Sequence, residues 1–138
     1  MRGQGPRPQF NGASRAKDLE LKIVAFDELE LMRIDKSVGA LCRRLTPPEH
    51  KAELEFIYAV EGQCVSIYEV RPGWKEPEKK TRMGVARFRY IRTRQEWTLY
   101  WMRRDLKWHL YDPDVSVSRS LDALVKVVAE DRSGAFFG

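Results

Sequence analysis

The stretch VARFRYIRTRQEWTLYWMRRDLKWHLY, residues 85–111, decides the fold of this chain. Apolar and polar side chains alternate along it with a period of two, which is typical of β-strands that bury one face. Short polar segments near Thr93 and Arg104 interrupt the alternation. The stretch therefore predicts three consecutive antiparallel strands, at about 83–91, about 95–102 and about 106–111.

Two further strands are predicted immediately before this stretch. The segments ELEFIYAV (53–60) and QCVSIYEV (63–70) alternate in the same way, and Gly62 lies in the turn between them. Pro72 and Gly73 end the second of these strands, and the charged segment WKEPEKKTR (74–82) is predicted to be a loop. The five strands together form a predicted meander.

A helix is predicted ahead of the strands, over about 28–44. Asp27 is a good N-cap and Glu30 stands three residues later, which completes a capping box. Pro47 and Pro48 stop the helix. Apolar residues recur at spacings of three and four and predict a buried stripe, which consists of Leu31, Ile34, Val38, Leu41, Cys42 and Leu45.

A second helix is predicted after the strands, over about 119–131. Ser118 is suited to cap its start, and Gly134 is suited to end it. Phe136 and Phe137 follow the helix, and we expect them to dock the C-terminal tail on the core.

The order of these elements predicts an α+β fold. It consists of an N-terminal helix, a five-stranded antiparallel meander and a C-terminal helix, with the helices packed on one face of the sheet. We predict a single domain at residues 26–138. Residues 1–25 are expected to form a flexible basic arm, because Gly, Pro and basic residues are frequent in its first part and apolar residues are few.

The composition indicates a soluble protein, with 43% hydrophobic and 33% charged residues. No apolar run is long enough to span a membrane, and no apolar segment of a secretory signal follows the basic N-terminus, so we expect a cytoplasmic location. Cys42 and Cys64 lack the spacing of a zinc site or a disulfide framework. The sequence has no recognisable catalytic motif, so no catalytic residue, cofactor or metal ion is predicted.

Positive charge is concentrated in one part of the chain. The whole chain carries a net charge of +5, and the segment from Arg71 to Tyr111 holds twelve basic and four acidic residues and all four tryptophans. Clustered Lys and Arg raise the local concentration of anions. The predicted partner is therefore nucleic acid or another polyanion, while a protein partner or a homodimer stays open.

Alternation sorts the side chains of the last three strands into two faces. One set is assigned to the core, and it comprises Ala86, Phe88, Tyr90, Trp97, Leu99, Trp101, Leu106, Trp108 and Leu110. The other set mixes basic and aromatic side chains, which a surface needs to neutralise phosphates and stack on bases. With the two arginines of the last turn, the nucleic-acid-binding candidates are Arg87, Arg89, Tyr100, Arg103, Arg104, Lys107, His109 and Tyr111.

Three alternatives remain open at this level. The tryptophans can serve a protein-interaction or dimerisation surface, and the basic face can be merely solvated. A metal-dependent nuclease is the third, with Glu69, Asp105 and Lys107 as its weak candidates. His109 and Asp105 are not expected to hydrogen-bond, because strand rise separates residues four apart by about 13 Å.

The segments FDELELMRIDKSVG, IYEVRPGW, VARFRYIRTRQEWTLYWMRRDLKWHLYDP and GAFFG occur together in this chain. In them the chain resembles a family of small bacterial proteins known as domain of unknown function number three thousand and twenty-four. The resemblance covers about residues 26–138 and implies one compact domain, usually bacterial. It implies no activity, cofactor or site residue.

Overall fold

The first helix begins at the capping box that the sequence predicts. The Asp27 backbone N–H donates to Glu30 Oε1 at 3.0 Å, and the Glu30 N–H donates to Asp27 Oδ1 at 2.8 Å. The structure, a computed structural model, describes residues 26–138. The predicted basic arm at residues 1–25 lies outside the described residues.

This helical region has three parts. They are helix α1 (Glu28–Ile34), a π-helical turn (Asp35–Gly39) and helix α2 (Ala40–Leu45). The Ala40 N–H donates to the Asp35 carbonyl, which is the bond between residues five apart that defines a π turn. The buried stripe begins at Ile34 and includes Val38, Leu41 and Cys42, whereas Leu31 is 40% exposed.

The predicted antiparallel meander is confirmed. Its strands follow one another in space as in the sequence. They are β1 (Glu55–Glu61), β2 (Cys64–Pro72), β3 (Lys80–Ile91), β4 (Glu96–Met102) and β5 (Trp108–Leu110). A sixth strand, β6 (Val117–Ser118), which the sequence analysis does not predict, pairs with Trp97 and Thr98 of β4.

The last helix, α3 (Leu121–Glu130), differs from its prediction at both ends. Ser120 caps it and accepts a hydrogen bond from the Ala123 N–H at 3.2 Å. Ser118 cannot be the cap, because pairing with β4 holds it in β6. Asp131 ends the helix with a left-handed backbone, φ 44°, before Gly134 is reached.

Helices α2 and α3 lie on one face of the sheet, as predicted. Helix α2 contacts β1, while α3 contacts β3 and β4. The fully buried apolar side chains of the sheet belong to this face, and they include Val65, Ile67, Ala86, Phe88 and Leu99. None of the helices within residues 26–138 has the length and apolar character needed to cross a lipid bilayer.

A β-bulge interrupts the pairing of β2 with β3. Ile67 pairs with Ala86, but the next residue, Tyr68, pairs with Gly84, so Val85 is the extra residue. Val85 and Ala86 are both buried. As a result, the even-numbered residues before the bulge and the odd-numbered residues after it lie on the same face of the sheet.

Tyr58 connects β1 to the π-helical turn through Asp35. The Tyr58 hydroxyl donates to Asp35 Oδ1 at 2.7 Å, and Arg43 donates to the same oxygen at 3.2 Å and to the Asp35 carbonyl at 3.0 Å. These two hydrogen-bond donors hold the pKa of Asp35 below its ordinary value. Burial, together with the Asp35 hydrogen bond, raises the pKa of Tyr58 from 10.0 to about 12.

Tyr58 should therefore ionise at a higher pH than an ordinary tyrosine. Because its folded-state pKa is raised, its contribution to stability is complete below pH 10 and is lost as the pH rises through about 12. In a pH titration followed by tyrosinate absorbance, we expect the parent protein to show a step near pH 12 that Tyr58→Phe lacks. Loss of an ordinary step near pH 10 instead would contradict the assignment.

Candidate functional site

The face of the sheet opposite the helices carries a mixture of cations and aromatic rings. We call it the outer face, and cross-strand pairing assigns each of its members. On β2 and β3 they include Cys64, Ser66, Tyr68, Lys80, Arg82, Gly84, Arg87 and Arg89. On β4 and β5 they include Thr98, Tyr100, Met102, Trp108 and Leu110. Three predicted candidates, Arg87, Arg89 and Tyr100, therefore share this face.

The assignment of Leu106, Trp108 and Leu110 to the core is wrong, and Leu106 is 65% exposed. Trp108 pairs with Met102 and Leu110 pairs with Tyr100, which puts both on the outer face. The turn between β4 and β5 runs to Lys107 and includes Leu106 with a positive φ of 63°, so β5 begins at Trp108 rather than near 106. Turn length sets the register, and the register decides which face each side chain joins.

Trp108 lies across the outer face above Gly84. A Cβ atom on Gly84 would be 2.8 Å from Trp108 Cη2 and 2.6 Å from Met102 Cε, closer than carbon atoms can approach. Glycine is therefore required for this ring to pack on β3. The ring also contacts Tyr68 edge-on, with centroids 6.5 Å apart, so residues from β2 and β5 meet over the intervening strands.

Two arginines stack on these rings. The Arg82 guanidinium is 4.0 Å from the centre of the Tyr68 ring, and the Arg87 guanidinium is 4.7 Å from that of Trp108. Arg87 also donates to Ser66 Oγ at 2.8 Å and pairs with Glu61 at 3.0 Å. Arg87 is thus engaged within the protein and orients Trp108.

The remaining cations of the outer face are available to a ligand. Lys80, Arg82 and Arg89 are exposed, and none of them forms an ion pair with another residue in the range 26–138. All three are on β3, and the bulge at Val85 brings Lys80 and Arg82 to the side of Arg89. Strand β3 therefore carries a row of unneutralised positive charge.

The predicted candidates of the β4–β5 turn are separate from this row. Arg103 and Arg104 line a pocket of about 550 Å³ with Trp101, Met102 and Asp105. Lys107 is exposed in the same turn. The guanidinium of Arg103 is 5.6 Å from the centre of the Trp101 ring.

His109 and Asp105 do hydrogen-bond, contrary to the expected separation. His109 Nε2 is 2.8 Å from Asp105 Oδ2, because the chain reverses in the turn and does not extend at strand rise. This bond and the Lys107 backbone N–H at 3.0 Å lower the pKa of Asp105. His109 pairs with Trp101, so it belongs to the face that the helices cover.

Tyr111 also lies away from the outer face. Its ring contacts Trp101 edge-on at 6.5 Å and Phe136 at 4.9 Å. It therefore helps to hold the C-terminal tail. Alternation predicts His109 and Tyr111 on the basic face only when Trp108 is core, and the observed register of β5 reverses these assignments.

The three nuclease candidates do not converge. Glu69 pairs with Phe56 in the sheet and forms an ion pair with Arg71. Asp105 is in the β4–β5 turn, and β3 separates β2 from β4. Within residues 26–138 no group of three or more His, Cys, Asp and Glu side chains is arranged to hold a metal ion.

Sequence reasoning missed four residues of the outer face, namely Tyr68, Lys80, Arg82 and Trp108. Alternation in QCVSIYEV could have identified Tyr68, since Val65 and Ile67 are clear core residues. No local pattern marks the bulge that turns Lys80 and Arg82 to this side. Trp108 was missed because large apolar rings are ordinarily buried.

The fold and the site together define a small α+β domain whose sheet is covered by helices on one face and carries arginines and aromatic rings on the other. The chain belongs to the family described as Domain of unknown function (DUF3024), which matches residues 26–138. No curated protein and no solved structure matches the chain.

Proposed function

We propose that this domain binds single-stranded nucleic acid on the outer face of its sheet. The observation that carries the proposal is the row of Lys80, Arg82 and Arg89, three exposed cations on one strand without an ion pair in residues 26–138. Unneutralised cations in a row favour a ligand with regularly spaced negative charges, which a phosphate backbone provides.

Aromatic groups beside the row favour a single strand over a duplex. Tyr68, Tyr100 and Trp108 share the outer face with the cations. Bases stack on aromatic rings or on guanidinium planes only when their own faces are free, and in a duplex those faces are covered by neighbouring base pairs. Arg82, stacked on Tyr68, offers a guanidinium plane held in a fixed orientation.

Salt dependence tests the proposal directly. Each phosphate neutralised on a single strand contributes about −0.7 to the slope of log K against log salt, so three contacts predict a slope of about −2. We expect the double variant Arg82→Ala with Arg89→Ala to flatten the slope for a labelled oligothymidylate by about 1.4. Arg87 is left intact because its substitution would also release Glu61 and Trp108.

The matched control removes two cations from the helical side. Lys36 lies in the π-helical turn and Lys126 in α3, and both are exposed. Lys36→Ala with Lys126→Ala changes the net charge equally and should leave the slope unchanged. Absence of binding at low salt, or equal slopes for the two double variants, would refute the proposal.

A cysteine on the outer face provides a second measurement. Cys64 pairs with Arg89 and is half-buried, whereas Cys42 is buried. Burial raises the pKa of both thiols, that of Cys42 to about 12. Bound oligonucleotide should slow alkylation of Cys64, as followed by mass spectrometry of the modified peptide. Binding that leaves Cys64 alkylation unchanged would mean that the nucleic acid occupies another surface.

A further inference from the structure

We infer that the bound strand runs lengthwise along β3 and that Trp74 stacks on a base at the far end of this path. The inference rests on the proposed function and adds a site outside the outer face. Trp74 is the most exposed tryptophan, at 89%, and it belongs to the turn between β2 and β3.

The cations define the direction of the path. Arg89 is near the end of β3 that pairs with β4, and Lys80 is the first residue of β3. The nine residue steps between them span about 30 Å at ordinary strand rise. Arg82 lies between these ends on the same face and has no ion pair within residues 26–138, whereas the charge of Arg87 is neutralised by Glu61.

Trp74 stands immediately beyond the end of this row. Lys80 pairs with Pro72, and the turn that follows Pro72 contains Gly73 and Trp74. A strand that leaves the row at Lys80 and continues in the same direction therefore meets this turn. The Lys75 ammonium is 5.5 Å from the centre of the Trp74 ring, which provides a cation for a phosphate next to a stacked base.

Local contacts close the backbone of the turn that carries Trp74. A Cβ atom on Gly73 would be 2.4 Å from the Lys79 carbonyl oxygen and 2.6 Å from that of Glu76, so the backbone is packed tightly there. The Lys79 N–H donates to the Glu76 carbonyl at 2.9 Å, and their side chains form an ion pair at 2.8 Å. Because these contacts already order the turn, binding of a ligand there costs less conformational entropy.

The dependence of affinity on oligonucleotide length tests this path. We would measure binding of the full-length protein to oligothymidylates from about four to about sixteen nucleotides, the range of site sizes for single-strand-binding folds. Strands too short to cover both Arg89 and Trp74 should bind Trp74→Ala and the parent protein equally. Longer strands should bind Trp74→Ala about 5-fold to 150-fold more weakly, the effect of one stacked base.

Two control variants separate stacking from general loss of apolar surface. Trp74→Phe keeps an aromatic ring and should retain part of the increase in affinity with oligonucleotide length. Val115→Ala removes apolar atoms from another exposed residue, 45% exposed, and should match the parent protein at every length.

The outcomes distinguish this inference from the proposed function. Binding that follows the salt slope of the outer face while Trp74→Ala equals the parent protein at all lengths overturns the path and leaves the proposed function standing. No binding at any length overturns both. Loss of affinity in Trp74→Ala for the shortest strands as well would place Trp74 within the primary site and overturn the end-of-path assignment.

Discussion

Gly84→Ala should lower the free energy of unfolding by about 1–3 kcal/mol, the usual cost of forcing an atom into a packed site. In an unhindered strand the same substitution would instead stabilise the protein, by roughly 0.5–1 kcal/mol, because glycine loses more backbone entropy on folding. The sign of the change in the free energy of unfolding therefore shows whether the new methyl group is crowded by its neighbours. At Gly84 the new methyl group meets Trp108 and Met102 at less than 3.0 Å.

The same substitution should weaken oligonucleotide binding. Lifting the Trp108 ring removes the surface on which Arg87 stacks and the edge that contacts Tyr68. Urea denaturation with an unchanged m value would measure the stability, and fluorescence anisotropy would measure the affinity.

A double-mutant cycle with Trp108→Ala provides the control. If the cost of Gly84→Ala arises from the ring, the substitution should be neutral or stabilising in the Trp108→Ala background. An equal cost in both backgrounds would show that Met102, whose Cε would be 2.6 Å from the new methyl group, or the backbone at Gly84 limits the site rather than Trp108.

Phe136→Ala should be the most destabilising single change in the C-terminal tail, at about 3–5 kcal/mol, as for other buried aromatic residues. Phe136 is 8% exposed and stacks on Tyr111 with ring centroids 4.9 Å apart. Asp131 fixes the tail, because its carboxylate accepts the Phe136 N–H at 3.0 Å and the Phe137 N–H at 2.9 Å. Chemical denaturation of the purified variant measures the loss.

Phe137→Ala is the matched control for this prediction. Phe137 contacts Phe56 edge-on, with ring centroids 5.8 Å apart, but it is 37% exposed. Folding therefore buries less apolar surface at Phe137 than at Phe136. We expect its substitution to cost clearly less than that of Phe136. Equal costs for the two variants would indicate that the tail docks as a whole and that Phe136 has no special part in it.

Patterns over short distances predicted most of the fold. The capping box of Asp27 and Glu30, the period-two strands and the amphipathic C-terminal helix all depend on residues close in sequence, and the structure contains each of them. The ends of α3 differ from the predicted ends, because tertiary contacts set them. Pairing with β4 moved the N-cap of α3 from Ser118 to Ser120.

The candidate site was only partly predictable. Arg87, Arg89 and Tyr100 were assigned to the correct face because they follow clear core residues in β3 and β4. In β5 the alternation predicts Trp108 and Leu110 as core residues, but they lie on the outer face of a three-residue edge strand. Hydrophobicity cannot identify the buried face of a strand whose rings pack over a neighbouring glycine.

The sequence by itself determined which elements form, their order along the chain, and the concentration of positive charge between Arg71 and Tyr111. These features arise from residues that interact within a few positions of one another. Only the tertiary structure decided that Lys80 and Arg82 share a face with Arg87 and Arg89. The bulge at Val85 brings Lys80 and Arg82 beside Arg89, and the register of β5 brings Trp108 over Gly84. Both depend on contacts between strands, so one inserted residue or a different turn length would reverse the faces.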